Sequence, residues 1–263
     1  GRKCRFKAVV HNISVTVNDL RCCIAFENRL TGFVEMRCEM NNFVITIARG
    51  FGSGGKQIAL EIGKKLGIPC YEREILDMAS DRSGLNRTLF EQTDERLRGS
   101  IFSKRLKGIP TITVASPEEK AFESDINLFN LQAQIIRSLA LSESCIIVGK
   151  CADHILDYFD NVFRIYIDAP RDACVKSIVS KMGVTEAEAN RLIKKTDKYR
   201  ADYYRYYTGK DWTNPTNYDL FVNSDKVGRT RCADVIIQYV KYQMECRGKK
   251  IENCNDKNET KES

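Results

Sequence analysis

A strand-like run, a glycine-rich turn and a helical run follow one another directly in the N-terminal part of the chain. This order constrains the fold more than any other feature of the sequence. Residues 43–48 are apolar and mostly β-branched, and residues 57–66 repeat apolar side chains at helical spacing. Between them Gly50, Gly55 and Lys56 have the spacing G-x-x-x-x-G-K. In that context the spacing indicates a loop that holds phosphate groups, rather than a plain turn between a strand and a helix.

Each residue type in this loop has a physical reason. Glycines let the backbone curl until successive amide N–H groups point at one phosphate, because no Cβ is in the way. The helix start adds unpaired N–H groups, and Lys56 brings a mobile charge to the outer phosphates. The hydroxyl expected after the lysine is absent, since Gln57 and Ile58 follow it. We expect the nucleotide contacts to come from Gly50, Phe51, Gly52, Ser53, Gly54, Gly55, Lys56 and Gln57.

Composition favours an intracellular globular enzyme. The 263 residues are 43% hydrophobic and 29% charged, which is ordinary for a domain with a large core. No stretch approaches the ~20 continuous apolar residues of a membrane span. The eleven cysteines are odd in number and scattered, which favours reduced thiols in a cytoplasm over a disulfide framework. The net charge of +7 suits polyanionic small molecules and would also suit nucleic acid.

The alternation of elements predicts the fold class. Strand-like runs occur at 43–48, near 68–71, and at 145–149, 162–168 and 219–223. Helical periodicity fills 57–66, about 73–80, 118–142, 171–181, 185–206 and 230–246. Continuous apolar runs suit parallel strands that are covered on both faces. We therefore expect an α/β protein with a doubly wound parallel sheet, which binds ligands at the carboxyl ends of its strands.

Several segments differ in character from this alternation. Residues 1–39 have no clean apolar period and precede Met40, so we interpret them as an N-terminal extension outside a domain that spans 40–248. Residues 82–116 are polar and are predicted to form a mobile flap, and 249–263 are predicted to be a polar tail. Pro117-Glu118-Glu119 and Thr185 each resemble a helix start.

Charged residues follow two other predicted strands. Glu72 and Arg73 come after the second strand, and Lys150 and Asp153 come after the third. Carboxyl ends of parallel strands share one edge of a sheet, so these residues belong on the same rim as Lys56. Arg73 and Lys150 could clamp an acceptor phosphate. Glu72 or Asp153 could bind a sugar or a base edge, or help to hold Mg²⁺.

The segment from Lys194 to Lys210 is a helix rich in cations and tyrosines. A lid over about 185–210 whose charges close on a transferring phosphoryl group is the favoured interpretation. A solvated basic face with tyrosines packed inward and a nucleic-acid surface, the least favoured, are the alternatives.

Several of these segments together resemble the cytidylate kinase-like family of P-loop nucleoside monophosphate kinases. The resemblance spans about residues 40–246. It is carried by the loop from Arg49 to Lys56, the runs Leu66 to Glu74, Val148 to Asp153 and Asp197 to Tyr204, and the stretch Trp212 to Asn223.

The resemblance implies a three-layer P-loop NTPase fold with a five-stranded parallel sheet flanked by helices and a helical lid. It also implies ATP and Mg²⁺ as cofactors. By position, Lys56 would hold the β- and γ-phosphates, and Arg73 and Lys150 would bind the acceptor phosphate. Lys195, Arg200 and Arg205 fall in the lid, and Asn223 and Ser224 would border the adenine.

The favoured hypothesis is an ATP-dependent kinase that acts on a nucleoside monophosphate such as CMP or dCMP and releases ADP. Two alternatives stay open at this point. One is a kinase for another small acceptor. The other is a catalytically inactive nucleotide-binding regulator, which the missing hydroxyl after Lys56 favours.

Overall fold

The computed structural model describes residues 23–27, 34–38, 42–91, 114–115, 119 and 124–247. The chain divides into two compact units, Gly1–Asn42 and Phe43–Ser263. In the first unit, strands β1 (Cys23–Glu27) and β2 (Val34–Cys38) pair antiparallel. These strands were not predicted, because their residues show no clean alternation. The interpretation of 1–39 as an extension stays a prediction, and the tail at 249–263 lies outside the described residues.

The second unit contains the predicted sheet. Five parallel strands lie in the order β4-β5-β3-β6-β7. They are β3 (Val44–Arg49), β4 (Cys70–Tyr71), β5 (Cys145–Val148), β6 (Val162–Asp168) and β7 (Leu220–Asn223). Strand β3, the first of these five in the sequence, lies in the middle of the sheet between β5 and β6. The prediction of a five-stranded, all-parallel sheet is therefore confirmed, and the glycine-rich loop leaves its central strand.

Helices cover both faces of this sheet. They are α1 (Gly55–Leu66), α2 (Glu74–Ser83), α3 (Asp125–Ser142), α4 (Ala152–Ile155), α5 (Arg171–Met182), α6 (Glu186–Thr208), α7 (Ser224–Val227) and α8 (Arg229–Cys246). Ile45 and Ile47 pack in the same cluster as α1 and α8, whereas Val44 and Ala48 pack with α2 and α3. Alternate residues of β3 thus support opposite layers, as the pleat of a strand requires.

Two predicted boundaries were wrong. Helix α3 begins at Asp125 rather than near 118, because the Ser124 side chain accepts the Asn127 N–H at 3.3 Å and caps the helix there. Part of the polar flap predicted over 82–116 is helical, at residues 87–91, and Phe90 is fully buried. Phe90 and the partly buried Leu85 and Leu89 tie this part of the segment to the core. Most of the predicted flap lies outside the described residues.

Helix α6 packs in two different environments along its length. It begins as predicted after Thr185, whose side chain accepts the Glu188 N–H at 3.2 Å. Its N-terminal half packs against α5 in a separate cluster, formed by Cys174, Val175, Ile178, Ala189 and Ile193. Its C-terminal half buries Tyr203, Tyr204 and Tyr207 in the main core. The segment predicted as a lid is therefore anchored in the main core at one end only.

Most of the six cysteines with described side chains lie in apolar surroundings: four are buried, Cys70 is partly buried and Cys246 is exposed. None of those six is in a disulfide bond, and burial raises the pKa of Cys70 and Cys174 to about 11 each. Such thiols remain protonated at neutral pH and are poor nucleophiles. Among the described helices, none combines the length and the apolar character that a bilayer crossing needs.

Candidate active site

The glycine-rich loop lies at the carboxyl end of β3 and is braced from within. The Gly50 N–H donates to the Ile167 carbonyl of β6 at 3.0 Å, which fixes the start of the loop to the neighbouring strand. The buried Ser53 hydroxyl donates to the Gly50 carbonyl at 2.9 Å and accepts the Gly55 N–H at 3.3 Å. Ser53, predicted as a nucleotide contact, thus directs its side chain to the loop's own backbone.

Two features of the loop require glycine. A Cβ on Gly50 would stand 2.3 Å from the Asp168 Oδ1 atom at the end of β6. Gly52 and Gly54 have φ angles of +93° and +83°, a region that side chains with a Cβ rarely adopt. The loop is thus curled tightly against a carboxylate, and its role as a cradle for phosphate stays a prediction.

Residues beyond β7 hold the loop from outside. The buried Ser224 hydroxyl donates to the Ser53 carbonyl at 2.6 Å, and Arg229 donates to the Gly52 carbonyl at 2.8 Å. The Asn223 side chain accepts the N–H groups of the next turn and caps α7. Two carbonyl groups of the loop thus accept hydrogen bonds from residues that follow β7. Next to them is a cavity of about 200 Å³. It is lined by Ala169, Ala173, Ser224, Asp225, Gly228 and Arg229.

One carboxylate bridges two cations at the base of the loop. Glu72, which follows β4, lies 2.5 Å from Lys56 Nζ and 2.5 Å from Arg49 Nη2. Burial would raise the pKa of Glu72, but Lys56 and Arg49 outweigh it and the pKa is lowered. Burial lowers the pKa of Arg49, although Glu72 opposes this. Glu72 was predicted to bind substrate; in this arrangement its oxygens are bound to the two cations.

Helix α6 contacts the loop through two side chains one turn apart. Asp197 Oδ1 accepts the Phe51 N–H at 2.8 Å, and Arg200 donates to the Arg49 carbonyl at 2.8 Å. The Arg200 guanidinium also lies 5.7 Å from the centre of the Phe51 ring. Burial, and then repulsion by Arg49, lowers the pKa of Arg200 to about 10. Burial raises the pKa of Asp197, although the Phe51 N–H favours its charged form.

The other two predicted lid cations lie elsewhere on the helix. Lys195 and Arg205 are exposed and stand five residues before and after Arg200. At 100° per residue, five residues turn the side chain by about 140° around the helix axis. The structure therefore brings Arg200 to the loop but not Lys195 or Arg205.

The turn after β5 has an unusual backbone. Gly149, Lys150 and Cys151 have φ angles of +77°, +58° and +53°, which is a strained conformation for the two residues that carry a Cβ. A Cβ on Gly149 would stand 2.5 Å from Arg49 Nη1, so this turn lies directly against the Arg49 guanidinium. Lys150 is thereby placed beside the loop. Arg73, the other predicted acceptor cation, is exposed at the start of α2.

Asp153 does not lie on the open rim where it was predicted. It is only 7% exposed, and its Oδ2 atom accepts the Tyr204 hydroxyl of α6 at 2.6 Å. Burial raises the pKa of Asp153 to about 6. The sequence placed Asp153 correctly after the third strand of the sheet, but the short helix α4 turns its side chain inward. In this arrangement it connects the turn after β5 to α6.

The residues around the loop fit a metal that is bound chiefly by a nucleotide. Among the described residues, no group of three or more His, Cys, Asp or Glu side chains could hold an ion. With its amide suitably oriented, Gln57 donates to the Gly54 carbonyl at 3.2 Å and accepts from Lys181 Nζ at 2.5 Å. Asp168 is a half-buried carboxylate beside Gly50, and burial raises its pKa. One carboxylate suffices where phosphates and water complete the octahedron of Mg²⁺.

Sequence reasoning missed three residues at this site: Arg49, Asp168 and Asp197. Arg49 and Asp168 end their strands at the binding edge, which is a usable signal. Asp197 precedes Arg200 by three residues, so both side chains share one face of a helix. That spacing was also available in the sequence.

Comparisons with known proteins identify the family of this chain. The model of the cytidylate kinase-like family matches residues 44–226, from β3 through α7. A cytidylate kinase of Methanosarcina mazei is 28% identical in an alignment of 163 residues, and the match covers 60% of this chain and 88% of that protein. The crystal structure of an uncharacterized protein from Eubacterium ventriosum is 26% identical, with a TM-score of 0.54, and the match covers 76% of this chain and 98% of that chain. The chain therefore belongs to the cytidylate kinase-like family and has the P-loop kinase fold.

Proposed function

We propose that the protein transfers the γ-phosphoryl group of ATP to a nucleoside monophosphate of the CMP or dCMP type, giving the diphosphate and ADP. The observation that carries this proposal is the convergence of Lys56, Arg49 and Arg200 on one phosphate-binding loop. A phosphoryl group in transfer spreads negative charge over its oxygens, and fixed cations around it stabilise that charge.

The glycine-rich loop and the cavity beside it are the proposed site of the donor nucleotide. Its phosphates would lie in the curl from Gly50 to Lys56, where the loop amides and the lysine supply positive charge. The cavity of about 200 Å³ beside Ser53 would receive the adenine, with Ala169 and Ala173 as apolar walls and Ser224 at its border. In this proposal Asn223 acts indirectly, because its side chain caps the helix that forms one wall.

The acceptor would bind beside the turn that follows β5. Lys150 is next to Arg49 there, and Arg73 can reach toward the same rim from the start of α2. An acceptor phosphate is already anionic, so its oxygen attacks the γ-phosphorus without a general base. The bond from that phosphorus to the β–γ bridging oxygen breaks, and ADP leaves with the electron pair.

Mg²⁺, when bound with ATP, would supply charge neutralisation at the β- and γ-phosphates, and Asp168 is the residue that would hold it. Arg200 is the lid residue whose position favours contact with the transferred group. Lys195 stays a proposed lid cation that would act after a movement of the N-terminal half of α6, and Arg205 stays one that would act only after a larger rearrangement of the half that the buried tyrosines hold. We also propose that the protein works in the cytoplasm, because thiols such as Cys145 and Cys174 persist in reduced form there.

A second candidate function is a nucleotide-binding regulator without turnover. Gln57 supports it, because this residue stands where a hydroxyl is expected and its amide can bond to Gly54 and Lys181. Such a protein would bind ATP and release no ADP. A kinase for another small acceptor is the third possibility and would share the donor site.

One experiment separates these functions. ADP release is measured with each nucleoside monophosphate for the wild type, for Lys56→Ala and for Lys64→Ala, an exposed lysine of the same helix. We expect turnover with CMP or dCMP that falls about 10²–10³-fold in Lys56→Ala and persists in Lys64→Ala. ATP binding without ADP release for any acceptor would favour the regulator. CMP turnover that is intact in Lys56→Ala would refute the site.

A further inference from the structure

A carboxylate of the protein accepts a hydrogen bond from one backbone amide of the glycine-rich loop. The Phe51 N–H donates to Asp197 Oδ1 at 2.8 Å, across 146 residues of sequence. Loop amides are the groups that would donate to a phosphate oxygen. Asp197 therefore places an anion of the protein where an anion of the ligand would bind.

The lysine of the loop is also paired with a carboxylate of the protein. Lys56 Nζ lies 2.5 Å from Glu72 Oε2, so the charge intended for the outer phosphates is paired with a second carboxylate. One amide and one ammonium group of the loop are thus both bound to acidic side chains. The carboxylates of Asp197 and Glu72 thus bind the loop groups that phosphate oxygens would bind.

Packing attaches the tip of the loop to the same part of α6. The Phe51 ring packs against the cluster of Cys174, Val175, Ile178, Ala189 and Ile193, which joins α5 to the N-terminal half of α6. Asp197 lies just beyond this cluster, before the buried tyrosines begin. A shift of the N-terminal half would break the bond from Asp197 to Phe51 without moving Tyr203, Tyr204 or Tyr207.

We propose that Asp197 is an intramolecular latch, which competes with the polyphosphate of the nucleotide for the Phe51 amide and is released when the nucleotide binds. This inference rests on the proposed function, because it takes ATP as the ligand of the loop. The Phe51 N–H cannot make a full hydrogen bond to two anions at once, so binding must break the contact with Asp197.

The first test measures affinity. ATP and inorganic tripolyphosphate are titrated calorimetrically into the wild type, Asp197→Ala, Asp197→Asn and Asp202→Ala. Asp202 lies on the same helix and pairs with Lys198 at the surface, so it controls for the loss of one acidic side chain. We expect Asp197→Ala to bind both ligands about 10-fold more tightly, since it removes a hydrogen bond to a charged acceptor. The affinity of Asp197→Asn for both ligands should rise by a smaller factor, and the affinity of Asp202→Ala should equal that of the wild type.

A second measurement distinguishes release of the latch from a general change of charge. Amide hydrogen exchange of residues 186–197 is followed with and without ATP. The latch predicts that ATP speeds amide exchange of these residues in the wild type. In Asp197→Ala these amides should exchange quickly even without ATP, and ATP should change their exchange rate little. Unfolding curves establish that each variant is folded.

The outcomes also separate this proposal from the proposed function. Unchanged or weaker ATP affinity in Asp197→Ala, while the wild type binds ATP, would overturn the latch and leave the kinase intact. Tighter binding without turnover in any variant would support the latch and overturn the kinase. Failure of both the wild type and Asp197→Ala to bind either ligand would overturn both.

Discussion

Replacement of Asp153 by asparagine is expected to change the way in which stability depends on pH. Asp153 is 7% exposed, and its carboxylate accepts the Tyr204 hydroxyl at 2.6 Å. A buried carboxylate loses most of its hydration, and the Tyr204 hydroxyl, the Asp153 backbone N–H and the charges of Arg164 and Lys210 compensate only part of that loss. Asparagine keeps an oxygen that can accept from Tyr204, and it has no charge to bury.

The magnitude follows from the pKa, which burial raises from 3.8 to about 6. A raised pKa means that the folded state holds the proton more tightly than the unfolded state does. Stability from this group is therefore highest below about pH 4 and is lost as the pH rises toward 6. The full loss is about 3 kcal/mol at 1.36 kcal/mol per pKa unit. About 2 kcal/mol of it falls between pH 4.5 and pH 7.5.

Urea unfolding of the wild type and Asp153→Asn at pH 4.5, 6 and 7.5 measures this effect. The asparagine side chain also brings an amide N–H₂ group that needs a partner, which can offset about 1–3 kcal/mol of the gain at every pH. The decisive quantity is therefore the change in the difference between the two proteins, which should favour the variant by about 2 kcal/mol more at pH 7.5 than at pH 4.5. Asp81→Asn, at an exposed position of α2, is the matched control. A difference that stays constant with pH, or that grows toward acid, would refute the reasoning.

Two further predictions concern the loop and the N-terminal unit. Gly50→Ala should weaken ATP binding at least 10-fold and lower the unfolding free energy by about 1–3 kcal/mol, because its Cβ would meet Asp168; unchanged affinity by calorimetry would contradict the proposed cradle. A chain that begins at Met40 should bind ATP as the whole chain does, since the described contacts of the site lie between Arg49 and Arg229; a melting temperature lowered by many degrees would show instead that the removed residues stabilise the core.

The parts of the fold that could be predicted are those with a strong local signal. Continuous apolar runs marked β3, β5 and β6 to within one or two residues, because strands covered on both faces need apolar side chains throughout. The start of α3 was misplaced because Pro117 and two acids resemble a helix start, whereas the side chain that caps the helix belongs to Ser124. The helical turn at 87–91 was missed because its apolar residues, Leu89 and Phe90, stand among polar ones and show no helical period, although both pack on the core.

The site was predictable in its position but not in its pairings. Strand order and the glycine spacing placed Lys56, Glu72 and Lys150 on one edge from the sequence alone. Which charges pair across that edge depends on the rotation of each helix, and the sequence of α6 alone does not fix that rotation. Burial of Ala189 and Ile193 against α5 sets it, and this directs Asp197 and Arg200 to the loop.

Magnitudes indicate which part of α6 can move when a nucleotide binds. Burial of an aromatic side chain contributes about 1.5–3 kcal/mol, so Tyr203, Tyr204 and Tyr207 together hold the C-terminal half by roughly 5–9 kcal/mol. The hydrogen bond from Phe51 to Asp197 contributes about 1.5–3 kcal/mol. A ligand that binds with micromolar affinity releases about 8 kcal/mol in all. Breaking the single hydrogen bond costs a minor part of that energy, whereas displacing the three tyrosines as well would cost roughly 6–12 kcal/mol, which is most or all of it. A movement that releases Asp197 therefore costs least if it involves the N-terminal half of the helix, and Arg200 lies between that half and the half that the tyrosines hold.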